Sequence, residues 1–104
     1  MSRRDAVYAR QSVEKKDSLS LSGQLDLCRR AAGERELAVY QDAGYSGKNT
    51  DRPAFQKLMR DVQTGQIAAI YVYRLDRFSR SVADFGRLWQ VLQAYQVEFV
   101  SVSE

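Results

Sequence analysis

A chain of 104 residues, 44% of them hydrophobic and one of them proline, is long enough for one modest core and too apolar for a disordered segment. Sixteen basic and thirteen acidic residues leave a net charge of +3, so a nucleic-acid partner has to be argued from where the arginines lie, not from the total. Cys28 is the single cysteine and histidine is absent, which excludes an intrachain disulfide and a Cys-rich zinc site and makes a cytoplasmic location the expectation; no stretch reads as a signal peptide or membrane span.

Residues 5–10 form a short apolar run around Ala6, Val7 and Tyr8, a first strand. A polar loop follows over residues 11–19. Leu21, Leu25 and Cys28 then recur at helical spacing, with Ala31 and Ala32 behind them and Ser18 or Ser20 as the cap. Glu36 to Tyr40 read as a second strand. A Gly-rich loop runs from Asp42 to Thr50. Asp51 is a suitable N-cap, and Pro53 sits near the first helical position, where its missing N–H costs nothing. Phe55, Leu58, Met59 and Val62 make the buried stripe of that helix, and Gly65 stops it. Ile67 to Val72 is almost wholly apolar, as a strand covered on both faces would be. Val82, Phe85, Leu88, Trp89 and Leu92 form a third helical stripe, suited to the core or a subunit interface. Residues 97–102 are a last strand that has barely ended, so the natural chain is expected to continue past Glu104.

The order β-α-β-α-β-α-β predicts an α/β fold of three layers: a mostly parallel sheet flanked by helices, flavodoxin-like, with right-handed crossovers. Such sheets place ligands outside the carboxyl ends of their strands. Residues 10–12 and 74–80 both lie at carboxyl ends. If the two strands are neighbours, Arg10, Ser12, Asp76, Arg77 and Arg80 meet at one edge. A hydroxyl among arginines suggests chemistry on a phosphate ester. A Ser-His-Asp triad is excluded for want of histidine. Guanidinium groups remain to stabilise a serine alkoxide and the added charge of a pentacoordinate phosphorus. An arginine finger in other phosphoryl-transfer enzymes contributes roughly 10³–10⁵ in rate. Asp76 reads either as a helix cap or arginine partner, or as a proton-transfer group. Asp42 and Asp51 fall in a separate loop, so one carboxylate is too few for a two-metal nuclease. No metal and no cofactor is expected. The loop containing Gly44, Tyr45, Ser46 and Gly47 lacks the glycine and lysine spacing of a P-loop.

These residues resemble the serine recombinases. Tyr8-Ala9-Arg10-Gln11-Ser12 is similar to their Tyr-x-Arg-x-Ser opening. Tyr45-Ser46-Gly47, Asp51-Arg52-Pro53 and Leu75-Asp76-Arg77-Phe78-Ser79-Arg80 resemble their later motifs, in the same order. Gln24 matches the glutamine of their first helix. Any one motif is weak; the ordered set is specific and covers essentially the whole chain. The resemblance implies a resolvase-like catalytic domain over residues 1–104, truncated at its carboxyl end. Ser12 would attack the scissile phosphodiester and leave a 5′-phosphoserine link. Arg10, Arg77 and Arg80 would hold the phosphate, Asp76 would orient an arginine or assist proton transfer, and Gln24, Ser46 and Arg52 would bind substrate. The implied partners are DNA, read sequence-specifically by the full-length protein, and further copies of the chain, from dimer to tetramer, with no membrane. Gln11 replaces a small β-branched residue, and the 13–18 loop lacks a glutamine usual in the family. The Ser20-Leu21 run and the Arg80-Ser81 ending lean toward the large integrase and transposase subgroup. Two rivals stand beside this reading. A non-catalytic α/β anion- or nucleic-acid-binding module would explain the fold and arginines, but not the Arg10–Ser12 spacing. A hydrolytic nuclease would release 5′-phosphate ends instead of staying attached.

Overall fold

The computed structural model describes residues 3–11, 20–33, 36–43, 53–78 and 82–103. Strand β1 spans Arg4–Gln11, helix α1 Leu21–Ala32, β2 Leu37–Ala43, α2 Pro53–Gln63 and β3 Ile67–Val72. A short α3, Leu75–Phe78, precedes α4, Val82–Ala94, and β4, Glu98–Ser101. The periodicity pointed to every element but α3, and a single turn is too short to display a helical repeat. Ser20 caps α1, its Oγ accepting from the Gly23 N–H at 3.2 Å. Among the described residues, no helix is long and apolar enough to cross a membrane.

The four strands lie in the order β2-β1-β3-β4, every neighbouring pair parallel. The first crossover therefore steps to one side of β1 and the next two step to the other. Right-handed crossovers then put α1 on one face, with α2 and α4 on the opposite face. The core divides accordingly. Ala6, Tyr8, Ile70 and Val72 pack with Leu58, Val62 and Leu92 of α2 and α4. Val7, Ala69 and Tyr71 pack with Cys28 and Ala32 of α1. Successive residues of β1 go to opposite clusters because the pleat alternates them. With both faces covered, the interior of β1 and of β3 has to be apolar throughout, and this gives the run Ile67–Val72 its composition.

An aromatic chain crosses the α2/α4 face. Ring centroids lie 5.6 Å apart for Tyr8 and Phe55, 5.3 Å for Phe55 and Phe78, 4.9 Å for Phe78 and Phe99, and 5.3 Å for Phe85 and Phe99. Phe78 is fully buried and is the anchor of α3. A four-residue helix cannot persist on its own hydrogen bonds, so this ring holds it to the sheet. Phe85 joins the same core, whereas Trp89 stays 41% exposed and is not a core residue of this chain.

Two helices end in the same way. At α2, the Gly65 N–H reaches Val62 O at 3.1 Å and the Gln66 N–H reaches Asp61 O at 3.0 Å. At α4, Gln96 N–H reaches Gln93 O at 3.1 Å and Val97 N–H reaches Leu92 O at 2.8 Å. Both are Schellman motifs, which need a left-handed residue at their centre. Gly65 takes φ 77 without steric cost, but Gln96 takes φ 58 with a Cβ. Arg3 closes this end of the molecule, with Nη2 donating to Ile67 O at 2.6 Å, Tyr95 O at 3.0 Å and Gln96 O at 2.8 Å. Between layers, the Tyr40 hydroxyl donates to Asp61 Oδ2 at 2.5 Å and ties β2 to α2.

Replacing Gln96 by Gly should stabilise the fold by about 0.5–1 kcal/mol, because the left-handed strain is removed at an exposed position. Urea denaturation of the two proteins checks it. Burial, and then the Asp61 hydrogen bond, push the Tyr40 pKa up to about 12 from 10.0. The neutral phenol is thus favoured in the folded state. Its contribution is fully present below pH 10 and is lost as pH rises from 10 through about 12. Melting temperatures measured across that window should fall more steeply for the natural chain than for Tyr40→Phe.

Candidate active site

The strand order reverses between β1 and β3: one crossover leaves to the left of that pair and the others leave to the right. In open parallel sheets, ligands bind outside the carboxyl ends of the strands at such a reversal. β1 delivers Arg10 and Gln11 to this edge, with Ser12 next in sequence. β3 stops at Val72, and two residues later α3 begins. Phe78 stands 6.4 Å from Tyr8, ring to ring, so α3 is seated against β1. The backbone at Asp76 and Arg77 belongs to that same turn.

Arg10 is 8% exposed although it is charged. It pairs in register with Asp42 of β2, and paired residues of parallel strands share a face. Asp42 was expected in a separate loop, away from the edge. It lies instead within β2, which continues to Ala43 because its ladder with β1 runs on to Gln11. The edge therefore holds a carboxylate that the sequence reading did not place there, beside Arg10.

Asp42 is 3% exposed and fully engaged. Its Oδ2 accepts from the Tyr8 hydroxyl at 2.7 Å and from the Phe55 N–H at 3.1 Å, and its Oδ1 accepts from the Ala54 N–H at 3.0 Å. The carboxylate thus caps the start of α2 from the neighbouring strand, where the helix dipole favours negative charge. The expected cap, Asp51, lies outside the described residues. The available signal was alternation: Ala38, Tyr40 and Asp42 occupy one face of a strand, as do Ala6, Tyr8 and Arg10.

Gln24 is fully buried on α1. Its Nε2 donates to Arg10 O at 3.1 Å, and its Oε1 accepts from the Arg10 N–H at 3.4 Å. Of the expected site residues, the structure therefore brings Arg10 and Gln24 into direct contact. Asp76 and Arg77 are placed by backbone alone, their side chains lying outside the description. Ser12, Ser46, Arg52 and Arg80 lie outside the described residues.

Residues 6–104 match the family model of the resolvase N-terminal domain. The chain is 34% identical over 79 residues to a putative DNA recombinase of Bacillus subtilis (strain 168), covering 74% of this chain and 16% of that protein. It is 35% identical over 97 residues to a probable DNA-invertase, y4cG, of Sinorhizobium fredii (strain NBRC 101917 / NGR234), covering 93% of this chain and 29% of that one. The chain thus spans less than a third of either curated relative. Among solved structures, it is similar to the N-terminal catalytic domain of TP901-1 integrase, with a TM-score of 0.83, 32% identity and coverage of 96% of this chain and 78% of that one. A serine recombinase from Sulfolobus solfataricus gives a TM-score of 0.80 at 30% identity, over 97% of this chain and 69% of that one.

Asp42→Ala leaves the buried Tyr8 hydroxyl and two helix N–H groups without their acceptor. Stability should fall by roughly 2–4 kcal/mol, the sum of a lost cap and an unsatisfied buried group. Tyr8→Phe should soften that loss, so a double-mutant cycle read by denaturation should show clear non-additivity.

Proposed function

This chain belongs to the resolvase N-terminal domain family, and we propose that it is the catalytic domain of a site-specific serine recombinase, cutting and rejoining DNA through a covalent 5′-phosphoserine intermediate. The observation that carries the reading is the adjacency of β1 and β3 in a parallel sheet. It brings the end of β1, with Arg10, and the α3 backbone at Asp76 and Arg77 to the same edge; Ser12 and Arg80 follow these segments in sequence.

In this mechanism the Ser12 hydroxyl gives up its proton and its Oγ attacks the scissile phosphorus. The bond to the 3′ oxygen breaks, and that oxygen leaves as a protonated 3′-hydroxyl. The 5′ side remains esterified to Ser12. Arg10, Arg77 and Arg80 supply fixed positive charge to the phosphate, most strongly when charge builds up in the transition state. Asp76 orients one of these arginines or relays a proton. Rejoining is the reverse attack by a 3′-hydroxyl, and no nucleotide is consumed because the ester conserves the bond. No metal is required in this scheme. Gln24, Ser46 and Arg52 complete the site. The full-length protein would bind its DNA sequence-specifically and assemble as a dimer to tetramer in the cytoplasm.

A duplex carrying the recombination site, nicked so that a cleaved strand diffuses away, tests this. Full-length protein should form a denaturation-resistant protein–DNA adduct, in excess EDTA as well as without it. Ser12→Ala should form none while binding the duplex normally. An adduct from Ser12→Ala overturns the assignment of the nucleophile. Free 5′-phosphate ends, made only with magnesium, would identify a hydrolytic nuclease, and binding without cleavage would identify an anion-binding module.

A further inference from the structure

We propose that Gln24 is a positioning residue that acts through the main chain of Arg10 and does not touch DNA. The inference rests on the recombinase reading and refines it, since Gln24 was expected among the substrate-binding groups. The sheet geometry carries the argument. β1 is paired with β2 up to Gln11, but its ladder with β3 ends at Tyr8. Beyond Tyr8, β1 therefore has a sheet neighbour on one side alone. In a parallel ladder, alternate residues turn both N–H and C=O toward the same neighbour. Arg10 is a residue whose two main-chain groups would face the side that β3 has left.

The Gln24 amide fills that place. A primary amide presents one donor and one acceptor side by side, the same pair that a strand offers. Nε2 donates to Arg10 O at 3.1 Å and Oε1 accepts from Arg10 N at 3.4 Å. Gln24 is wholly buried, and its neighbour on the next turn, Cys28, is locked in the α1 face of the core. The amide is thus a single rung of ladder supplied by a helix. It prolongs the regular strand geometry of β1 through Arg10, two residues before Ser12. A buried amide with both ends turned to the main chain is poorly placed to reach a phosphate. Its effect on chemistry is the aim of Arg10 and of the segment that follows.

Three substitutions in the full-length protein separate the roles. Gln24→Met keeps the volume and loses both bonds. Gln24→Asn keeps the amide on a stem too short to reach. Gln24→Glu offers the same donor and acceptor pair only when its carboxyl is protonated. The duplex described above is the probe, used below the melting temperature of each variant. Adduct formation by Gln24→Met and Gln24→Asn should slow by about tenfold to a hundredfold, the range expected for a misplacement near 1 Å. Affinity for the duplex should stay within about twofold, because no phosphate contact is removed. Hydrogen exchange at the Arg10 amide should accelerate by at least about tenfold as its partner is lost. The Gln24→Glu rate, relative to the natural protein, should recover as pH falls. Affinity falling in step with rate would make Gln24 a DNA contact and overturn the proposal. So would a lowered melting temperature with a normal rate. If the natural protein forms no Ser12-dependent adduct, the recombinase reading itself falls. If it does and the Gln24 variants match it, this inference alone falls.

Discussion

One carboxylate sits where β2 ends and α2 is about to begin, and it holds three parts of the molecule in place. Asp42 binds the Tyr8 hydroxyl from the central strand and two N–H groups from the first turn of α2. A buried carboxylate is tolerable only when its lone pairs are taken. Here they are taken by groups that would themselves be costly to bury alone. The arrangement makes the position of α2 dependent on the position of β1, and the same strand carries Arg10. The end of β2 is thereby tied to the start of α2, the Ala54 N–H donating to Asp42 Oδ1 at 3.0 Å.

The opposite face shows a second solution to the same difficulty. A parallel sheet whose strands differ in length leaves main-chain groups without a ladder. Gln24 supplies the missing pair from α1. Both devices converge on the end of β1, one through a side chain beside Arg10 and one through its backbone. Polar residues in the core are thus concentrated at one edge: Arg10, Gln24 and Asp42 are the buried polar residues among those described. Elsewhere the interior is apolar and aromatic. Concentration of buried polar groups at a strand end, against an otherwise dry core, is what a preorganised reaction site requires.

Much of this was legible beforehand. Alternation of strand and helix patterns was enough for the layered parallel sheet, since the apolar run Ile67–Val72 has no polar face and Leu58 and Val62 recur at helical spacing. The β1–β3 adjacency stood only as a condition for Arg10 and Asp76 to share an edge, and the strand order β2-β1-β3-β4 supplies it. Asp42 was misplaced because a polar residue beside a Gly-rich stretch reads as loop. Its burial depends on Tyr8, thirty-four positions away, and no local pattern records such a partner. α3 escaped for a related reason: it exists because Phe78 finds an aromatic pocket built by three other elements. The pairing of Gln24 with Arg10 depends on a ladder stopping early, which is a property of the assembled sheet.

Arg3 has a consequence for how the molecule comes together. Its guanidinium reaches the carbonyls of Tyr95 and Gln96, separated from it by 92 and 93 positions. β1 lies inside the sheet and needs β2 on one side and β3 on the other. Every ladder in the fold is parallel and so joins distant segments. Loop-closure entropy must be overcome before such contacts reward it. β1 can therefore gain one neighbour once β2 is made, but it lacks the other until β3 follows. Arg3 grips the end of α4, so closure at that pole waits on residues 95 and 96. The same wiring that brings two distant segments to one edge of the sheet makes the burial of β1 wait on contacts far apart in sequence.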